Sequence, residues 1–539
     1  MSAETTKIWA QKQKARGKSL RDFEKAQIYK EERKNYKTFF LTFGFIALAL
    51  AIVAAGFFTY QNYAGDAATE VSGNTILVRQ GGDFQAALNR AKAGDTIRLQ
   101  AGATFKGAFT LPNKAGNEFI TVRTSATDAQ LPSADTRIDP KKYAAILPKL
   151  IAAASEPVIT ATGGTHNYRF VGVEFEANPQ GVGNIIKIGT SEEKRIEDLP
   201  HHIEFDRVYI HGNAQNGARR GIAANGRDLK IANSYISDIK RKGDESSAIG
   251  IWATDGAIEI TNNYLEAAAE NILFGGAESY LKLIPSDCLI KNNWMNKPVK
   301  WREEGWDVKN LFEIKNGRRI RIENNLLTNN WGSAQDGTGV VFKSTADSGA
   351  YAVADDIEFT NNIVRGTGNG ISFLGTEAQG GHRLTIRNNI FDDITGAKWN
   401  SAGFFMKGQG WTNLTIENNT IINSGNISNV DGAPTRSFVF RNNIVFENEY
   451  GFKGSGTSSG KNTIDKFFPN GDVSFNAIVG GNTARYRGTN LYPASIKQLG
   501  FVNFQAGDFT LLPDSPLRAK GFQGKNIGAD LDARTVGGK

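Results

Sequence analysis

The sequence predicts an all-β chain wound as a right-handed parallel β-helix with three short strands per coil, and three observations predict it. A paired-asparagine phrase recurs at an elastic interval. Alternating apolar residues flank each copy on both sides, and a further apolar segment lies between one copy and the next.

The phrase is first complete as IEITNNYLEA, residues 258–267. It returns as IKNNWM, IENNLL, FTNNIV, IRNNIF, IENNTI and FRNNIV, with the pairs beginning at Asn262, Asn292, Asn324, Asn361, Asn388, Asn418 and Asn442. Successive pairs are 30, 32, 37, 27, 30 and 24 residues apart. Weaker copies precede them: IANSYI keeps Asn233 but has Ser234, and FDRVYI puts Asp206 and Arg207 at the pair. Period-2 alternation before each pair argues one strand, and the apolar residues after it argue a second. The pair is therefore a corner. Asparagine tolerates left-handed backbone and bonds its own turn, and stacked copies allow a ladder of amides along the pile. The segments NILFGG, NLFEIK, GVVFKS, GISFLG and GFFMKG supply the third strand of each coil.

Other repeat architectures fit less well. A leucine-rich repeat needs LxxLxL before its asparagine, and a propeller needs recurrent Trp-Asp, which occurs once, at Trp306 and Asp307. On these phrases the chain resembles the pectate-lyase-like superfamily over residues 75–535. Both ends support the likeness. GGDFQAALNRAKAGDTIRLQAG reads as a short helix, with Asp83 placed to cap it, running into a first strand. GDFTLLPDSPLRAKGFQGKNIGADLDA resembles the closing segment of bacterial extracytoplasmic β-helices.

Ahead of this domain, residues 38–60 carry no charge over a length that crosses a bilayer core of about 30 Å. The sequence predicts a cytoplasmic basic tail over 1–37, a transmembrane helix over 38–60 and a linker over 61–74. The tail holds 11 Lys or Arg against 5 Asp or Glu, and no basic residue follows the apolar run until Arg79. That asymmetry predicts a single-pass protein with its β-helix outside the membrane, in the periplasm or on the cell surface. The run also exceeds the roughly 7–15 residues of a cleaved signal core. The tail accounts for most of the net charge of +8. No basic stripe of the kind nucleic acid requires remains beyond it.

Cys288 is the single cysteine, so no internal disulfide framework exists. His166, His201, His202, His211 and His382 lie in no metal-ligand spacing, and HHIEF reads as the start of a strand. What remains is the outer face of the third strands. Alternation turns Phe312, Ile314, Phe342 and Met406 inward and leaves Glu313, Lys315, Lys343 and Lys407 outward, with Lys315 and Lys343 one coil apart. Trp252 falls two coils earlier in the same register. Trp301, Trp306 and Trp331, with Trp294, sit in or near the adjoining loops, where indole faces suit sugar rings.

This pattern points to a polysaccharide partner and to β-elimination on a uronate polymer. That reaction needs a cation for the carboxylate, a base for the C5 proton and an acid for the leaving oxygen. A lysine crowded by a second cation has a lowered pKa, as a base requires. FEIKNGRRIRIENN resembles the coil that carries the catalytic lysine in the chondroitinase B and alginate lyase family, and the resemblance implies Lys315 as the base. That family follows with an Arg-His-Gly element, where this chain reads VVFKS with Lys343. Glu313 is the candidate oxygen ligand for a neutralising cation such as Ca²⁺. The rival readings are a non-catalytic binding, adhesin or envelope protein, and a hydrolase pairing carboxylates among Glu303, Glu304 and Glu313.

Overall fold

The computed structural model describes residues 3–14, 25, 30, 34 and 68–538. The segment 38–60 lies outside the described residues, and among those described no helix is long and apolar enough to cross a membrane. The chain divides into two units, Met1–Ala68 and Thr69–Lys539. In the first, Ala3–Lys14 is a helix.

The second unit is a stack of coils whose strands form three long sheets of 15, 13 and 12 strands, which fit a right-handed parallel β-helix. Sheet one collects the strand before each corner, sheet two the strand after it, and sheet three the third strand of each coil. An antiparallel hairpin, Thr69–Ser72 with Thr75–Val78, opens sheet one, its first strand within the expected linker and its second beyond it. Helix Phe84–Arg90 follows. Asp83 caps it as expected, its carboxylate accepting from the Ala86 backbone N–H at 2.9 Å. The strands enclose one continuous apolar core from Ile76 to Tyr486, and Cys288 is buried in it as a free thiol.

The asparagine ladder expected through Asn262, Asn292, Asn324, Asn361, Asn388, Asn418 and Asn442 forms there only in pairs, and a second, continuous ladder lies inside it. The first asparagine of each pair has left-handed backbone, with φ between 54° and 59° from Asn262 to Asn442. That twist projects its side chain outward and returns the next residue toward the core. The continuous ladder therefore runs through the second members, Asn263, Asn293, Asn325, Asn362, Asn389, Asn419 and Asn443, which are buried. Each amide donates to the carbonyl oxygen of the next at 3.0–3.2 Å. The ladder then continues through Asn443, Asn476 and Asn490. The earlier copies follow the same geometry with other residues: Gly172, Arg207 and Asn233 take the left-handed corner. Asp206 pairs with Ala232 and so lies one place before it.

The outer asparagines bond one another pairwise, the amides of Asn262, Asn324, Asn388 and Asn442 donating to the side-chain oxygens of Asn233, Asn292, Asn361 and Asn418 at 2.8, 2.6, 2.7 and 3.4 Å, and they have a further partner. From residue 522 to 537 the chain runs back along the corners. The Phe522 N–H donates to Asn442 at 2.7 Å, and the Asn418 amide donates to the Asn526 carbonyl at 2.9 Å. Asn388 exchanges two bonds with Asp530, and Asn324 donates to the Thr535 carbonyl at 3.2 Å. The strap ends at Arg137, whose guanidinium donates to the carbonyls of Gly537, Asn262 and Asn292 at 2.6, 3.1 and 3.2 Å. Arg137 belongs to a loop from the other end of the domain, in which Leu131, Ile138 and Leu147 pack against Tyr209 and Tyr235 of sheet two. Phe509, Leu531 and Val536 cover Ile363 and Ile390 of the same sheet. The two ends of the domain thus meet over sheet two, and sheet three keeps an outward polar face.

Candidate active site on the third sheet

Three outward rows run up sheet three. Glu313, Val341, Ser372, Lys407, Asn429 and Lys453 stand opposite one another on successive strands. Lys315 and Lys343 extend the Ile314–Phe342 pairing by one residue, and Leu374 and Gln409 continue their row. Trp252 occupies that second row two coils before Lys315. Ser247, Glu270 and Asn310 form the third row.

Around Lys315 and Lys343 these rows gather a dense set of charges. Lys343 pairs with Glu313 at 2.8 Å, and Lys315 pairs with Asp347 at 3.3 Å. Lys309 pairs with Glu245 and lies 3.8 Å from Glu270. Glu313 and Glu270 are fully buried beneath the lysines, and the Asn310 amide donates to Glu313 at 2.8 Å. Glu270 Oε1 has no hydrogen-bond partner among the described residues. Burial, followed by the nearby Glu313 carboxylate, raises the Glu270 carboxyl well above the usual carboxylate range. Lys297 lies buried below, donating to the carbonyls of Ala267, Ala268 and Ala269 at 3.0, 2.9 and 2.8 Å, and burial lowers its pKa.

This setting reverses the expected electrostatics of Lys315. Burial alone lowers an ammonium's pKa, but Glu313, Asp347, Glu245 and Glu270 outweigh it and hold Lys315 above its ordinary value. Crowding by Lys343 is not the dominant influence, because Lys343 is itself neutralised by Glu313. Nor does Glu313 fit a Ca²⁺ ligand. Its oxygens face an ammonium and an amide N–H, both donors, where a hard cation needs further oxygens.

The tryptophans also depart from expectation. Trp301, Trp306 and Trp331 are buried together with Trp399, packing the loops to one another. Lys240, also buried, lies 4.9 and 5.0 Å from the rings of Trp301 and Trp306. Glu304 accepts from Trp306 Nε1 at 2.7 Å, so the acid beside Glu313 is Glu270 and neither Glu303 nor Glu304. Trp252 is half-buried; Arg220 stacks on its ring at 4.8 Å and its Nε1 donates to Ser191 at 2.7 Å. Trp294 lies on sheet two, in line with Tyr264. Lys407 pairs with Asp336 and shares the Glu313 row, not the lysine row.

From this centre an open cleft of about 710 Å³ extends toward the C-terminal coils, lined by Asn310, Lys343, Ser372, Lys407, Asn429 and Asp431 among others. Elsewhere the fold brings His211 beside Glu174 and Glu176, the one His-carboxylate group with ligand-like proximity among the described residues. Lys149 bridges both carboxylates at 3.0 and 3.1 Å, supplying the positive charge there.

Fold and site together define a parallel β-helix with a charge-lined cleft on one sheet. No family model and no curated protein matches the chain. Solved structures similar to it include an alginate lyase from Paenibacillus sp. str. FPU-7, at 15% identity over 67% of this chain and 94% of that one, with a TM-score of 0.35. The periplasmic alginate epimerase AlgG is 9% identical over 78% and 79%, with a TM-score of 0.37. Pectate lyase Pel9A is 17% identical over 84% and 91%, with a TM-score of 0.29.

Proposed function

We propose that the chain acts on an acidic polysaccharide laid along the cleft of sheet three, with β-elimination as its chemistry. Residues 38–60 anchor it in a membrane with the β-helix outside. The observation that carries the reading is the convergence of Lys309, Lys315 and Lys343 on adjacent coils over the buried pair Glu270 and Glu313, at the head of an open cleft. An ammonium has three donors, so a lysine steadied by one protein carboxylate keeps donors for a carboxylate of the substrate. Neutralising that carboxylate is what makes the C5 proton removable. Lys309 and Lys343 face the substrate carboxylate. Where the medium is alkaline enough to leave Lys315 unprotonated, its amine takes the C5 proton and the ammonium so formed gives that proton to the leaving oxygen. Because acidic neighbours hold Lys315 above its ordinary value, cleavage rises with pH.

A second reading, a binding rod without catalysis, is favoured by one observation: Glu270 and Glu313 are fully buried. Full-length chain in detergent, incubated with a panel of uronate polymers, separates the readings. A lyase yields an unsaturated product that absorbs in the ultraviolet, a hydrolase yields reducing ends alone, and a binder is retarded in a polymer-containing gel without cleaving it. Absence of both cleavage and retardation across the panel overturns the proposal.

A further inference from the structure

We infer that Arg220, laid against the Trp252 ring on sheet three, receives a carboxylate of the bound polymer through the two terminal nitrogens of its guanidinium. The binding face then reaches to the N-terminal side of the lysine centre as well as along the cleft. This inference rests on the acidic-polysaccharide reading above and adds a subsite to it. Arg220 stands in strand Ala218–Ala224, in the row that continues through Ser247 and Glu270 to Asn310. Three strand spacings separate it from Asn310, ~14 Å along the axis. The carboxylate it takes is therefore a different one from that facing Lys309 and Lys343.

The acids around Arg220 are committed to other cations. Asp244 lies 3.2 Å from Arg241 and 3.9 Å from Arg219, and Glu245 pairs with Lys309. Glu270, Asp244 and Glu245 stand near enough to favour the charged form of Arg220, yet none of them forms an ion pair with it. Burial, followed by the Arg219 guanidinium, outweighs them and lowers its pKa to about 10, which leaves it a cation at neutral pH. Its Nε is closed off from solvent without a hydrogen-bond partner. Nη1 and Nη2 also make no hydrogen bond among the described residues, but they are not closed off, and the residue as a whole is half-buried. A guanidinium in this state bears the cost of burial with no anion to offset it. Its planar fork of donors fits a carboxylate through two parallel hydrogen bonds.

The neighbouring residues hold that fork in place. Beneath it lies Gly250, where a Cβ would come within 3.2 Å of both Cδ and Nε of Arg220 and 3.5 Å of Trp252 Cζ3. Bare backbone there lets the arginine stem lie across the sheet, with its Cζ 4.8 Å from the Trp252 ring. Trp252 is fixed in turn: its Nε1 donates to Ser191 at 2.7 Å and its backbone N–H donates to Asn225 Oδ1 at 3.0 Å. A side chain already stacked loses little freedom when its ligand arrives.

The test is binding of the full-length chain in detergent to three unsulfated polymers, polygalacturonate, alginate and chondroitin backbone. Arg220→Met keeps an unbranched stem beside Trp252 and removes the charge. It should weaken binding of the best-bound polymer about tenfold or more, the effect of losing a charge-assisted hydrogen-bonded pair. Arg219→Met removes the same charge one residue away and should change that affinity by less than about threefold. Without polymer, Arg220→Met should melt no lower than the wild type, because the charge it removes has no partner. Arg220→Lys retains the charge without the fork and should bind several-fold more weakly than the wild type; if Arg220→Met does not fold, this variant decides. Wild-type affinity in Arg220→Met or in Arg220→Lys, or equal losses in Arg219→Met and Arg220→Met, overturns the assignment and leaves the acidic-polysaccharide reading standing. Failure of the wild type to bind any of the three polymers overturns both.

Discussion

Replacing Asn325 by alanine removes one rung from the middle of the buried ladder. Its amide donates to the Ile290 and Glu323 carbonyls and to Asn362 Oδ1, at 2.9, 3.0 and 3.0 Å. Its oxygen accepts from the Asn293 backbone N–H at 2.9 Å and from the Asn293 amide at 3.0 Å. The Asn293 amide retains its bond to the Ile260 carbonyl, and Asn362 Oδ1 retains the Asn325 backbone N–H. The group left stranded is the Asn293 backbone N–H, in a region closed to water. A stranded buried donor costs about 1–3 kcal/mol, and the lost bonds to Ile290 and Glu323 add to it, so the expected loss is about 2–4 kcal/mol. Asn324→Gly, one residue earlier, should cost less, because glycine adopts the left-handed corner without strain. Urea denaturation followed by circular dichroism, with exposed Lys461→Ala as control, measures the difference. If Asn325→Ala and Lys461→Ala unfold at the same midpoint with equal slopes, the buried ladder does not carry the corners.

Arg137→Ala should release the end of the C-terminal strap, and limited trypsin digestion should then cut at Lys525 or Arg534 faster than in the wild type, with the rest of the domain intact. Burial pushes the Glu266 carboxyl up to about 7, so its folded pKa lies above its unfolded value. The associated stability is present below about pH 4.5 and is lost as pH rises toward 7, amounting to up to about 3 kcal/mol. Glu266→Gln should therefore be the more stable protein at pH 8, and melting curves at pH 5 and pH 8 check the sign. The anchor predicts that the intact chain sediments with membranes, and that protease added outside removes the β-helix while sparing residues 1–37; a soluble mature chain beginning near residue 65 would contradict it.

Much of the architecture was legible in the sequence because a corner repeated seven times leaves a phrase that is hard to mistake. Which asparagine carries the continuous stack was not legible. That follows from the left-handed backbone of the first member, which sends its side chain outward, and only coordinates show the turn. Glu270 was missed for a related reason. Counting inward and outward positions back from Phe312 assumes unbroken alternation, but the bend between sheets two and three shifts it by one. Leu311 joins the core and the Asn271 amide donates to the Leu265 and Asn296 carbonyls, while Asn310 donates to Glu313 and Glu270 lies 3.8 Å from Lys309. The Trp301, Trp306 and Trp331 loops were read as sugar platforms because spacing says where an indole begins and not what covers it. Arg137 left no local signal, since its partners lie 125 to 400 residues away.

The polysaccharide-binding role proposed for sheet three is tested most directly by one paired comparison. Lys343→Met removes a charge from the head of the cleft, whereas Arg321→Met removes the same charge from an exposed position on sheet one. Each is run with the wild type through gels containing unsulfated chondroitin backbone at low salt. The account predicts that Lys343→Met loses most of the retardation and that Arg321→Met keeps it; equal retardation of the two variants would contradict it.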